Sequence, residues 1–156
     1  MNFDKNDKGK EKVCVFSFNS RGFREEKANI CKTLFMENSK YFPVLCNQEN
    51  FILKGNNYKI NQCLPSARIF FKEAMKDSLE GRPKNGMFVA IPKEIKERAK
   101  DVSPNHWRVQ AITLDTGNSK ILIINSYFPT DPRTNEFDTK TLWKIMITTT
   151  YCGVVI

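Results

Sequence analysis

Three apolar stretches of the chain run out into side chains able to bind a cation or touch a phosphate. VCVFSFN ends on Asn19. PVLCNQENF passes from Val44, Leu45 and Cys46 into Asn47, Gln48 and Glu49. ILIINSYFPTDP delivers Asn125, Tyr127, Thr130 and Asp131. An Asn carbonyl and a Glu carboxylate are hard oxygen ligands suited to Mg²⁺. A Tyr hydroxyl can donate to, or position, a phosphate oxygen. A metal in such company would polarise a phosphoryl group and stabilise a leaving oxyanion. Taken singly, each residue has a plainer role: turn former for Asn19, solvated loop carboxylate for Glu49, half-buried strand aromatic for Tyr127, packing within its strand for Asn125. Their recurrence at strand ends groups them, because strands that open at one rim bring such residues together.

The elements that must position them read as follows. Val13–Asn19 is rich in β-branched and aromatic residues and predicts a strand. SRGF follows as a turn in which Gly22 supplies backbone freedom. REEKANICKTLFMENSK places Ala28, Ile30, Cys31, Leu34 and Phe35 at helical spacing, and YFPVLCNQ predicts a second strand. Strand–helix–strand favours a parallel pair with a right-handed crossover. Next come a loop with a short strand near residues 58–62, and a short helix starting at Ser66 as N-cap in SARIFFKEAMKDSLEG. Met87–Pro92 is a strand. Lys93–Lys100, KEIKERAK, is helical in propensity and reads as a solvated face. The segment from Trp107 to Pro129 reads as a hairpin around Thr116–Ser119. Strands outnumber helices, giving a mixed α/β or α+β sandwich.

A chain of 156 residues with 40% hydrophobic and 12% aromatic content, including 12 Phe, can bury a core and is not of disordered composition. Its net charge of +8 and pI of about 9.3 suit a polyanionic partner. Lys93–Lys100 and Arg108 are the candidate phosphate contacts on that ground. No apolar run approaches the ~18 residues of a membrane helix, and the polar first 12 residues lack a secretion signal. The expectation is an intracellular protein, nuclear or cytoplasmic, with no membrane partner. The five cysteines show no Cys-x-x-Cys spacing, which argues against zinc and against a disulfide framework. Cys14 and Cys46 lie in apolar runs and read as small buried residues.

Five segments in order, FSFNSRGF, VLCNQENF, GRPKNGMFVAI, HWRVQAITL and ILIINSYFPTDP, resemble the endonuclease/exonuclease/phosphatase superfamily. The nearest likeness is to the apurinic-like endonuclease domain of non-LTR (LINE-type) retrotransposons, over most of Val13 to about Trp143. The resemblance implies a four-layered α/β sandwich of two mixed sheets flanked by helices. It implies phosphodiester cleavage with Mg²⁺ or Mn²⁺, DNA as partner, and a downstream reverse transcriptase in a full-length element. Asn19 and Glu49 match the family's metal-site Asn and Glu. Gln48 matches the Gln that supports the site, and Tyr127 matches the Tyr that contacts the scissile phosphate. Gly86 matches the second residue of a Gly-Gly pair opening a strand, with Asn85 in place of the first. Thr130 stands where the family often has Asn, with Asp131 beside it.

The family's Asp-x-Asn, whose Asp activates water, and its late Ser-Asp-His have no counterpart in these 156 residues. YCGVVI resembles the strand that leads to Asp-x-Asn, and His106, the single histidine, precedes Tyr127 and reads as a surface or half-buried residue. The expectation is therefore a flexible lead over residues 1–12 and a partial domain over 13–156, incomplete at its C-terminus and without hydrolytic activity. Two other functions fit the residues: a non-catalytic basic nucleic-acid-binding module, and a phosphatase-type member acting on a small phosphorylated molecule. A scaffold without a ligand is the remaining alternative.

Overall fold

A computed structural model describes residues 12–38, 40–76, 81–116 and 120–128, and the backbone of a short strand at 154–155. The elements are β1 (Val13–Asn19), α1 (Glu25–Glu37), β2 (Phe42–Gln48), α2 (Tyr58–Cys63), β3 (Ala67–Met75), β4 (Lys84–Pro92), a 3₁₀ turn (Lys93–Arg98), β5 (Ala99–Asp101), β6 (Val109–Asp115), β7 (Lys120–Ser126) and β8 (Val154–Val155). They form two four-stranded sheets, ordered β1-β2-β4-β3 and β5-β6-β7-β8. Both sheets are mixed. β1 and β2 are parallel, as the crossover helix requires, and β7 and β8 are parallel, while the other neighbours are antiparallel.

Two apolar layers hold the sandwich. Between the sheets, Phe42, Val44 and Cys46 of β2, Phe70 of β3 and Val89 and Ile91 of β4 meet Ile112 and Leu114 of β6 and Ile123 of β7. On the other face of the first sheet, Leu45, Phe88 and Ala90 pack under Cys31 and Phe35 of α1 and Ile60 of α2. All seven residues of β2 are buried, so both faces are covered. Burial pushes the Cys31 and Cys46 thiols up to about 12, which makes them poor nucleophiles and core-filling residues. Cys14, expected to be buried, is partly exposed. Val109, Ala111 and Leu122 are buried on the outer face of the second sheet. The fourth layer of the expected sandwich falls outside the described residues, as does the predicted lead up to residue 11.

Three predicted elements differ. The strand near residues 58–62 is the helix α2. The helix after Ser66 is the nine-residue strand β3. The segment Lys93–Lys100 is a 3₁₀ turn that leads into β5 rather than an α-helix. β3 has both faces covered, by α2 on one side and the second sheet on the other. A strand buried on both sides loses the period-2 polarity by which strands are recognised. α2 spans six residues, too few for a helical period to declare itself.

Candidate metal and phosphate site

Because β1 and β2 are parallel, Asn19 and Gln48 end side by side. The segments that follow are knitted together by the backbone. Ser20 N–H donates to Gln48 O (3.0 Å), Gly22 N–H to Glu49 O (2.7 Å) and Phe23 N–H to Asn50 O (2.9 Å). The turn entering β4 joins them: Asn50 N–H donates to Gly86 O (3.1 Å) and Phe51 N–H to Asn85 O (2.9 Å). Four non-glycine residues of these turns, Arg21, Glu49, Phe51 and Asn85, have φ of 47°, 52°, 59° and 67°. Left-handed backbone at such residues costs roughly 1–3 kcal/mol each and concentrates at functional sites. Asn85 in place of the family's first glycine is understandable here, since Asn enters this region more readily than most residues.

The second sheet reaches the same rim through a buried amide ladder. Gln48 Nε2 donates to Asn125 Oδ1 at 2.6 Å and to Ser17 Oγ at 3.0 Å. Asn125 Nδ2 donates to Asn47 O (3.1 Å), Phe88 O (3.2 Å) and Gln110 Oε1 (3.4 Å), and Gln110 Nε2 to Phe70 O (2.8 Å). Gln48, Asn125 and Gln110 are all buried. Lys72 adds a second cross-sheet tie, its ammonium donating to the carbonyls of Pro104, His106 and Val109.

Tyr127 follows β7 two residues after Asn125 and so arrives at the end of β2. Its pKa is raised, first by burial and then by the nearby Glu49 carboxylate, with Arg108 and Arg21 opposing. The phenol therefore keeps its proton at neutral pH and is a donor. Glu49 is half-buried and Asn19 exposed. Asn19 Oδ1 accepts the Arg21 N–H at 3.1 Å, and an amide oxygen has a second lone pair. One carboxylate and one amide oxygen fit Mg²⁺, which keeps several waters and takes one or two protein carboxylates. Among the described residues no three His, Cys, Asp or Glu side chains gather as a metal cage.

Asn19, Gln48, Glu49 and Tyr127 are thus brought to one rim. Thr130 and Asp131 lie outside the described residues. Arg108 stands beside Tyr127, 5.9 Å from its ring, but it is 93% buried and packed on Trp107 at 4.0 Å. It sits behind the tyrosine rather than on an open face. Lys93–Lys100 is at the other end of the first sheet: Gln48 pairs with Met87, and β4 then runs away from the rim to Pro92. Six residues of extended chain separate Met87 from Lys93, about 20 Å. His106 is half-buried, its Nδ1 accepting the Arg108 N–H at 3.2 Å. Sequence reasoning missed Gln110 and Arg21. Gln110 had a readable signal, a lone amide in the inward-facing register of an apolar strand; Arg21 had none.

Solved structures share this architecture. Truncated TDP2 from Caenorhabditis elegans superposes with a TM-score of 0.53 and 14% sequence identity, covering 90% of this chain and 58% of that one. A second structure of TDP2 from the same organism gives 0.50 and 13%, covering 90% and 45%. The catalytic domain of Xenopus laevis APE2 gives 0.48 and 12%, covering 80% and 48%. The chain thus spans about half the length of the structures it matches. No protein-family model and no curated protein matches it at a significant level. At these identities the likeness to TDP2 establishes the fold alone: two mixed sheets with helices.

Proposed function

We infer that the protein is a metal-dependent phosphodiesterase of DNA-endonuclease type, with Asn19 and Glu49 as metal ligands and Tyr127 as the phosphate contact. The observation that carries this is the 2.6 Å bond from Gln48 to Asn125, which ties the residue before Glu49 to the strand that delivers Tyr127. A bound Mg²⁺ supplies a Lewis acid for the phosphoryl oxygen and the leaving oxyanion. The chain's own groups do the rest. Gln48, anchored on Asn125 and Ser17, holds the end of β2 so that Glu49 faces the rim. Tyr127 offers its proton to a phosphate oxygen. The left-handed turns hold these groups without reorganisation at the moment of binding.

The +8 charge favours a polyanion, and the five ordered motifs favour the LINE-type endonuclease over a small-molecule phosphatase. No Asp-x-Asn or Ser-Asp-His follows Tyr127 in the sequence, so the 156-residue chain binds metal and DNA with little turnover. The test is Mn²⁺ binding by the purified chain, with plasmid nicking alongside. Glu49→Gln should weaken Mn²⁺ at least tenfold, and neither protein should nick. Unchanged Mn²⁺ affinity in Glu49→Gln refutes the metal assignment. Mg²⁺-dependent nicking that Glu49→Ala abolishes refutes the low turnover.

A further inference from the structure

Next to Glu49 is a cleft that the phosphodiesterase chemistry leaves unused. It measures about 230 Å³, and its lining includes Gly22, Phe23, Asn50, Phe51, Asn56 and Lys59. Clefts that enclose a drug-sized molecule run to ~300–1,000 Å³, so this one suits a single ring system. It is joined to the rim: Gly22 N–H donates to Glu49 O at 2.7 Å, and Asn50 follows Glu49, one Cα step of about 3.8 Å away.

The lining chemistry is specific. Phe51 is a half-buried aromatic wall, held in left-handed backbone, with the Arg82 guanidinium 5.2 Å from its ring centroid. Phe23 is fixed edge-on against Phe88 (5.6 Å, 87°). Lys59 and Asn56 are exposed. Asn50 is 99% buried; its Oδ1 accepts the Ile52 N–H at 2.9 Å, which sets the amide's orientation, and its Nδ2 has no acceptor among the described residues. That nitrogen is shut off from solvent, so the amide within reach of a ligand in the cleft is that of exposed Asn56.

We propose that this cleft holds one unpaired nucleobase of a DNA strand, on the side of the phosphate that Tyr127 contacts. A nucleobase brings a flat π-face for Phe51, ring and carbonyl acceptors for the Asn56 amide, and an attached phosphate for Lys59. A base inside a duplex has neither face free, so the cleft selects single-stranded or flipped DNA. The inference rests on the phosphodiesterase reading for the position of the phosphate, and its test is run without metal so that the two fail separately.

The test is fluorescence anisotropy in EDTA with a labelled twelve-nucleotide oligothymidylate and an abasic strand of equal length and charge. The wild-type chain should bind the base-bearing strand at least about fivefold more tightly, the lower end of base stacking on an aromatic. Phe51→Leu should remove that difference and leave the abasic affinity unchanged. Equal affinity of the wild-type chain for both strands overturns the proposal, and so does a Phe51→Leu chain that loses both equally. Because Phe51 also packs locally, 2-aminopurine within the strand is titrated with the wild-type chain. Quenching on binding is expected, and unchanged emission at saturation overturns the proposal. The metal reading is judged separately, by Mn²⁺ binding of Glu49→Gln.

Discussion

Asn125→Leu removes the centre of the amide ladder that joins the two sheets. Asn125 is 1% exposed. It accepts from Gln48 at 2.6 Å and donates to Asn47 O at 3.1 Å and Phe88 O at 3.2 Å, with a longer bond to Gln110 at 3.4 Å. At about 1 kcal/mol net for each of the three shorter bonds, the direct loss is about 3 kcal/mol. Gln110 Oε1 loses its acceptor role in a dry layer, which adds roughly 1–2 kcal/mol. The expected cost of about 4–5 kcal/mol corresponds to a fall of roughly 8–20 °C in Tm for a chain of this size. Circular dichroism melts of wild-type and variant measure it. Ser126→Ala, on the opposite face of β7, serves as control and should stay within about 0.5 kcal/mol. The double variant Asn125→Leu/Gln110→Leu should cost less than the sum of its parts, because fewer polar groups are left without partners. A single Asn125→Leu variant within about 1 kcal/mol of wild type refutes the reasoning, since the ladder would then be no more than close packing.

Gly86→Ala places a Cβ at φ +81°, against the Asn50 side chain and 3.2 Å from the Ala74 Cβ. Left-handed strain of about 1–2 kcal/mol and displacement of the Asn50 amide should together cost roughly 2–4 kcal/mol; a chemical-denaturation midpoint equal to wild type contradicts this. Tyr127 has a raised pKa, from burial and then the Glu49 carboxylate. A folded-state pKa above the unfolded value gives stability that is full below about pH 10 and lost as pH rises through the folded value. The stability difference between wild type and Tyr127→Phe should therefore be constant from pH 7 to 9 and shrink above 10. A difference that grows with pH in that range sinks the placement of Tyr127 in a buried setting near the Glu49 charge.

Much of the scaffold was legible because local signals agreed with the tertiary outcome. β1 occupies the predicted Val13–Asn19, β2 ends at Gln48 as expected, and the crossover through α1 makes the pair parallel. α2 and β3 were exchanged for physical reasons. Tyr58 and Ile60 alternate as in a strand. Ala67, Phe70 and Ala74, the buried residues of β3, recur at i, i+3 and i+7 as on a helix. Only the two layers covering β3 make it a strand. Lys93–Lys100 showed its charge but not its distance from the rim, since charge carries no address until strand order is known.

The chain by itself determined which side chains could meet: Asn19, Glu49 and Tyr127 each end an apolar run, and strand ends are set by short-range pattern. What only the tertiary structure decided is that they do meet, and how. The antiparallel β6–β7 hairpin, docked on β2 and β4 through Gln48, Asn125 and Gln110, brings Tyr127 within reach of the Glu49 charge. That docking also covers Arg108, which the sequence had offered as a surface cation. The cause is register: a one-residue slip of β7 would turn Asn125 away from the ladder. Register between distant strands is chosen by the packed layer between the sheets, not by any local stretch of chain.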